Sequence, residues 1–419
     1  MTIPVWYEDR HVASIEDGPV LRYDADWLVA ADAFPISVRM PLKGSDVPAE
    51  TLIPWLQNLL PESGPLDIMG RTLGVARGDI LGLLERIGRD TAGALTIGPR
   101  SPGEMPGYRV VPDDAALERI IDALPARPFL AGDEGVSMSL AGAQDKLPVA
   151  IPDGRIAVPI HGAPSTHILK PDNPRLSGSV QNEALCLTLA GLCGLPAAAI
   201  TTGVAGGRSY LLVSRYDRVL ATPLWHRLHQ EDFCQALGRP PSAKYQHNQI
   251  GTPGPSLADF FGLTRAWMTG ADTLRLLDAV IFNVVTGNVD AHAKNYSMLI
   301  DRAGFRFAPL YDLMCGAAWE GITLNHAQNF GGQRRGMHIQ RRHWQRMAAA
   351  CGLNATATVR RVIRMVDLVF SKLDPAISAV RALPAGGHST LDVARDEIRK
   401  LCVTVRRNAE RDTATIPDD

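Results

Sequence analysis

Apolar residues recur along this chain with two different periods, and the places where the period changes divide it. Up to about residue 99 the periods mix. Val5-Trp6-Tyr7 and Leu21-Arg22-Tyr23 read as short strands around the turn Glu16-Asp17-Gly18-Pro19. Residues 52–60 and 79–87 carry apolar side chains at helical spacing, and Pro61 and Gly88 stand just past them as terminators. The turn-rich segment 100–107 breaks the chain. From about 126 to 233 strand patterns dominate, at 147–151, 156–159, 167–170 and 210–213, with one helical stretch at 182–193 closed by Gly194 and Pro196. Beyond that the period is helical, at 257–268, 272–286, 342–351, 355–373 and 390–407. One hairpin interrupts it, 296–300 against 305–308, and the tail 411–419 is polar.

Several strands around one helix, followed by a helical region, predict an α+β chain. Its architecture is a two-lobed, protein-kinase-like fold with a β-rich N-lobe and a helical C-lobe, preceded by an extra N-terminal α/β subdomain. The expected boundaries are 1–125 for that subdomain, 126–237 for the N-lobe with phosphate loop and hinge, 238–410 for the C-lobe, and 411–419 for the tail. Composition changes this little. The 419 residues are 46% hydrophobic and 21% charged, as in ordinary globular proteins. The net charge of -1 gives no global attraction to nucleic acid or anionic membrane. No apolar run approaches the ~20 residues of a membrane span, and 1–9 lack the basic-then-apolar order of a secretory signal. The six cysteines form no C-x-x-C pair, and the histidines lack metal-ligand spacing. Thiols used for packing fit a cytoplasmic protein.

The candidate chemistry is concentrated in Gly287-Asn288-Val289-Asp290-Ala291-His292-Ala293-Lys294-Asn295 and in Tyr311-Asp312. Asp290 and Asn295 lie five residues apart in a polar loop, and Asp312 follows seventeen residues after Asn295. Kinases use this spacing for a carboxylate that accepts the proton of the attacking hydroxyl and for an Asn and an Asp that hold magnesium on ATP. A carboxylate inside the apolar run around Leu310 and Leu313 is costly unless paired or metal-bound. Upstream, Ser137-Met138-Ser139-Leu140-Ala141-Gly142-Ala143-Gln144-Asp145-Lys146 has small residues through which backbone N–H groups approach phosphate, with Lys146 adding positive charge. Lys170 ends a strand, and Glu183 follows thirteen residues later on the helical stretch, the order of the ATP-orienting ion pair of kinases. Residues 227–233 would offer backbone groups to an adenine.

Taken together, these strings resemble the HipA family of bacterial toxin serine/threonine kinases. Further matches are 58–63, 88–95, Asn182-Glu183, 214–218, 230–235, Lys244-Tyr245 and 290–297. The resemblance implies Asp290 as catalytic base and Asn295 and Asp312 as ligands of Mg2+. ATP would be held by Ala141, Gly142, Ala143, Gln144, Asp145, Lys146, Lys170, His292, Ala293, Lys294, Asn295, Tyr311 and Asp312, with Glu231, Asp232 and Phe233 at the adenine. Ser139 matches the family's autophosphorylated serine, and Ser137 is a second candidate. The implied target is an aminoacyl-tRNA synthetase such as glutamyl-tRNA synthetase, with arrest of translation and dormancy. The implied partner is a helix-turn-helix, HipB-like antitoxin, with operator DNA reached mainly through it. Residues 324–332 depart from the Ala-Met-Lys-type run of many relatives, which leaves the target protein open. Arginines gather at 334, 335, 341, 342, 346, 360, 361 and 364, as solvated helix faces or a phosphate-contacting patch. Two other functions compete with the toxin kinase: a transcription co-repressor with a vestigial kinase site, and a small-molecule or lipid kinase.

Overall fold

The computed structural model describes residues 2–100, 103–221, 224–248 and 250–411, so 101–102 of the turn-rich break and 412–419 of the tail lie outside the described residues. Two compact units divide the chain. The fold is the expected α+β, two-lobed kinase type.

The first unit comprises Met1–Asn173, Gly203–Pro241 and Ser297–Phe305. It opens with an antiparallel sheet in the order Val20–Tyr23, Arg10–Glu16, Ile3–Tyr7, Leu95–Ile97. The strand Arg10–Glu16 is not among those that the sequence pattern predicts, because Ala13 and Ser14 blur its alternation. Trp27, Phe34 and Tyr7 close the sheet's core edge to face. Helix Ile80–Ile87 matches its apolar run and is capped by Asp79, which accepts from Gly82 N–H at 2.9 Å, whereas Ala49–Gln57 begins and ends three residues before the expected 52–60. A second antiparallel sheet has His167–Pro171 between Leu147–Val149 and Arg208–Ser214, with Leu169 opposite Leu147 and Leu212.

The second unit comprises Pro174–Thr202, Ser242–Tyr296 and Arg306–Asp419. Helices Ser179–Leu192, Gly270–Thr286, Ala355–Arg381 and Thr390–Glu410 pack against one another. Capping boxes at Ser256/Asp259 and Thr269/Asp272 start Leu257–Trp267 and Gly270–Thr286. Several helix boundaries differ from the sequence expectation, and two of them show why. Ser179–Leu192 starts three residues earlier than Asn182, because its polar first turn is buried and tied to a distant segment, with Gln181 Nε2 donating to Ala385 C=O at 2.6 Å. Ala355–Arg381 runs through Pro375, because Leu373, Ala376, Ile377 and Val380 share a buried face. That burial offsets the ~3 kcal/mol that a helical proline costs. Residues 324–332 form the strand Asn325–Phe330 and the turn into Gln333–Arg335. Among the described residues no helix is long and apolar enough to cross a membrane.

Candidate active site

In the second unit, Gly270–Thr286 delivers the catalytic segment. Gly287 ends the helix in the left-handed conformation at φ 69°, and its N–H bonds back to Asn283 and Val284. Asn288 is then braced twice, by its N–H to Asn283 C=O at 2.8 Å and by Nδ2 to Asn283 Oδ1 at 3.0 Å. Asn283 Nδ2 in turn donates to the Tyr296 hydroxyl at 2.8 Å. From this anchor the chain folds onto one carbonyl: Asp290 C=O accepts from His292 N–H at 2.7 Å and from Asn295 Nδ2 at 2.8 Å. The Asp290 carboxyl is exposed, and Oδ1 accepts from the Tyr245 hydroxyl.

Of the partners predicted from the sequence, His292, Tyr311 and Asp312 belong to the same unit. Tyr311 donates to Lys294 C=O at 2.7 Å, which ties the segment of Asp312 to the catalytic loop. Asp312 itself has a positive φ of 51°, unusual outside glycine but tolerated by Asp. Such strain persists only where its surroundings hold it. They do so here: Asn182 Oδ1 accepts from Cys315 N–H at 2.8 Å, and Asn182 Nδ2 donates to Cys315 C=O at 3.1 Å. His292 is buried and held neutral: burial first, then Lys244 and Lys294, push its pKa well below the ordinary value. Its Nδ1 has no hydrogen-bond partner among the described residues.

The phosphate loop lies in the first unit. Gly142 takes φ 108°, and a Cβ there would sit 2.6 Å from Lys146 Nζ, so only glycine lets the lysine fold back to donate to Ala141 C=O. Gly142 C=O accepts from Glu62 N–H at 3.1 Å. Ser139 is fully buried; its hydroxyl donates to Leu59 C=O at 2.7 Å and its N–H to Asp90 C=O at 3.0 Å. Ser137 is half-buried, and its hydroxyl donates to Arg86 C=O at 2.8 Å. Burial raises the Asp145 carboxyl. Lys170, on the central strand of its sheet, is only 5% exposed. Glu183, 2% exposed, belongs to the second unit, at the fifth position of its helix.

Glu231 turns its side chain to the N-terminal segment, where Oε1 accepts from Val38 N–H at 2.9 Å and Oε2 from Trp55 Nε1 at 3.1 Å. Its carboxylate is therefore engaged within its own unit. Asp232 caps the short helix Phe233–Ala236, and Phe233 is fully buried.

Other polar strings of the sequence do structural duty. Residues 88–95 and 214–218 meet in a buried network in which Arg218 reaches Asp90 at 2.9 Å and Arg215 reaches Asp217 at 2.7 Å. Asp217 also accepts from Gly93 N–H at 2.8 Å. Burial alone would raise both carboxyls; the surrounding arginines outweigh it and hold both below the usual range. Arg334 donates to His326 C=O, and Arg361 pairs with Asp278, so these arginines have partners inside their unit.

Comparison with known proteins gives the family. The HipA-like C-terminal domain matches residues 138–373 and the HipA N-terminal domain residues 3–98. The chain belongs to the HipA family. It is 39% identical to the putative kinase Y4mE of Sinorhizobium fredii over 87% of this chain and 89% of that protein. It is 32% identical to the serine/threonine-protein kinase toxin HipA of Shewanella oneidensis over 70% of this chain and 69% of that toxin. HipA in the structure of the Shewanella oneidensis HipA, HipB and operator DNA complex superposes with a TM-score of 0.84 at 25% identity, covering 97% of this chain and 99% of that one. As a HipA-family member the chain is an ATP-binding serine/threonine-protein kinase of the toxin–antitoxin type.

The donors suit ATP and magnesium. Asn295 Nδ2 is committed to Asp290 C=O, which orients the amide oxygen away from it, and Asp312 supplies a carboxylate. Magnesium on ATP takes one or two carboxylates with phosphate and water oxygens, so a larger protein cage is not required. When bound, the ion would neutralise charge developing on the phosphates.

Proposed function

We propose that this HipA-family kinase transfers the γ-phosphate of ATP to a protein serine, with an aminoacyl-tRNA synthetase as target and growth arrest as outcome. The closure of 290–295 on the Asp290 carbonyl carries the reading, because it presents an exposed carboxylate beside Asn295 and the segment of Asp312. Asp290 accepts the acceptor's proton, Asn295 and Asp312 hold magnesium, and Lys146, Lys170 and neutral His292 contact phosphate, with Ala141 to Asp145 supplying backbone N–H groups. Ala293, Lys294 and Tyr311 complete the nucleotide contacts, and the backbone of Glu231 to Phe233 takes the adenine.

The burial of Ser139 supports an off-switch. A phosphate adds nearly two negative charges, and a fully buried hydroxyl bonded to a carbonyl has no room for them, so the loop must leave. Ser137, already half-exposed, would accept phosphate with less displacement. We assign 1–125, 126–237 and 238–410 as the functional segments. A HipB-like helix-turn-helix antitoxin is the partner, through which operator DNA is reached, in the cytoplasm.

Mass spectrometry of phosphoproteins after brief induction tests this. Wild type should place phosphate on a synthetase serine and on Ser139 or Ser137, and Asp290→Ala on neither. A toxic Asp290→Ala chain, or phosphate found only on a metabolite, would overturn it.

A further inference from the structure

Tyr245 lies forty-five residues before Asp290, and nothing in the spacing of the catalytic motif involves it. Its hydroxyl nevertheless donates to Asp290 Oδ1, and its ring meets the His292 ring edge to face at a centroid distance of 5.0 Å. It therefore touches both polar side chains at the start of the catalytic loop. A tyrosine on a loose loop would do this by chance, but the segment carrying Tyr245 is pinned on three sides. Lys244 C=O accepts from Ala293 N–H at 3.1 Å, inside the catalytic loop. Gln246 N–H donates to Ala327 C=O at 3.2 Å, and Gln246 Oε1 accepts from Asn329 N–H at 2.8 Å, which fixes the segment to Asn325–Phe330. Tyr245 C=O accepts from Asn248 Nδ2 at 3.1 Å. Gly254 closes over the same turn: a Cβ there would lie 2.0 Å from Tyr245 O and 2.3 Å from Ala243 O. That approach is open to glycine alone and leaves the Tyr245 backbone little freedom.

We propose that Tyr245 is a positioning residue for Asp290. Its hydrogen bond fixes the rotation of the carboxylate before the acceptor arrives. A small misplacement of a catalytic group costs rate steeply. In the reaction, the acceptor oxygen bonds to the γ-phosphorus as the bond to the β,γ-bridging oxygen breaks. The hydroxyl proton passes to the Asp290 carboxylate, and ADP leaves. Tyr245 neither gives nor takes a proton in this sequence. Removing its hydroxyl should slow the step without touching nucleotide binding.

The inference rests on Asp290 as the base, and a double-mutant cycle separates the two ideas. The readouts are phosphate incorporation into the full-length chain from γ-labelled ATP with Mg2+, the KM for ATP, and the thermal midpoint. Tyr245→Phe, which deletes one oxygen from a half-buried ring, should lower the rate about 10- to 100-fold, within the range expected for positioning effects. KM for ATP and the midpoint should stay at wild-type values. In the Asp290→Asn background the same change should have no further effect, because the group it positions is gone. A merely structural tyrosine would lower the midpoint, or multiply the Asp290→Asn defect, and either result overturns the proposal. A wild-type rate in Tyr245→Phe alongside a dead Asp290→Asn sinks the positioning role alone. A wild-type rate in Asp290→Asn sinks the assignment of the base, and the positioning role with it.

Discussion

Residues 88–95 with 214–218 and residues 287–295 with 311–312 look alike as sequence: short, polar, charge-rich strings set among apolar runs. The folded chain uses them in opposite ways. In the first pair the charges turn inward. Asp90, Arg215, Asp217 and Arg218 are all buried, and each is bonded to the others or to backbone groups of Gly93 and Thr91. Burial and the neighbouring Arg215 lower Arg218 to about 10, which still leaves it charged at neutral pH. In the second pair the backbone does the satisfying, and the Asp290 carboxyl faces solvent. His292 beside it is kept neutral. Charge density in a motif therefore does not mark chemistry. The scaffold carboxylates are enclosed with arginines, whereas the Asp290 residue is exposed.

The sharpest way to break this contrast is to neutralise one carboxylate of each kind. Asp290→Asn should lower the phosphoryl-transfer rate by about 10²- to 10⁴-fold, the contribution of a positioned general base, and leave the urea midpoint unchanged. Asp90→Ala should do the reverse in kind. It leaves Arg215, Arg218 and Arg227 buried with one carboxylate among them. Breaking a buried pair from one side costs about 3–5 kcal/mol, to be read from urea unfolding. If Asp90→Ala proved neutral in stability, the inward network would not be the scaffold of its unit.

How far the sequence reaches follows the same division. Helices with clean apolar spacing and good caps, such as 257–268, are legible to within a residue or two at their ends. Asp290, Asn295 and Asp312 stand out in the sequence because the roles proposed for them depend on local spacing. Roles that depend on distant partners are not. Nothing in Asn182 announces a clamp on Cys315, nothing in Leu59 or Glu62 announces a support for the phosphate loop, and nothing in Glu231 announces that its carboxylate serves Val38 and Trp55. Pro375 misleads for a related reason, since the packing that carries the helix past it is tertiary.

Glu231 sharpens the contrast through pH. Burial is the largest influence on it, and it raises the carboxyl from 4.5 to about 7 despite hydrogen bonds from Ser37, Val38 and Trp55. Between those values the folded chain binds the proton more tightly than the unfolded one, so stability falls as pH rises from about 4.5 to about 7. The expected loss is on the order of 3 kcal/mol. Asp90 and Asp217 have the opposite sign: their depressed values give stability above the unfolded carboxylate range that is lost on acidification below it. Buried His229 and His326, each lowered to about 4 mainly by burial, also lose stability on acidification, in a window that overlaps that of Glu231. The measurement is therefore a difference. In urea unfolding across pH 4 to 8, the stability of wild type minus that of Glu231→Gln should fall as pH rises from about 4.5 to about 7. Identical slopes would mean that Glu231 is not held protonated.

The smallest expected effect separates holding a group from being one. Asn182 bonds both the N–H and the C=O of Cys315, three residues beyond Asp312, whose φ of 51° the local chain must sustain. Asn182→Ala leaves the Cys315 N–H without its side-chain partner, at a cost of about 1–3 kcal/mol for a group buried unsatisfied, while the Cys315 C=O still accepts from Ala318 N–H at 3.2 Å. Because the strained backbone at Asp312 then has a weaker hold, activity should fall together with stability. Asp312→Asn should lower activity and leave stability in place, since it changes a ligand and not its support. If Asn182→Ala lost stability but kept full activity, the clamp would be holding the helix bundle alone, and the strain at Asp312 would be sustained by the Tyr311 hydrogen bond to Lys294.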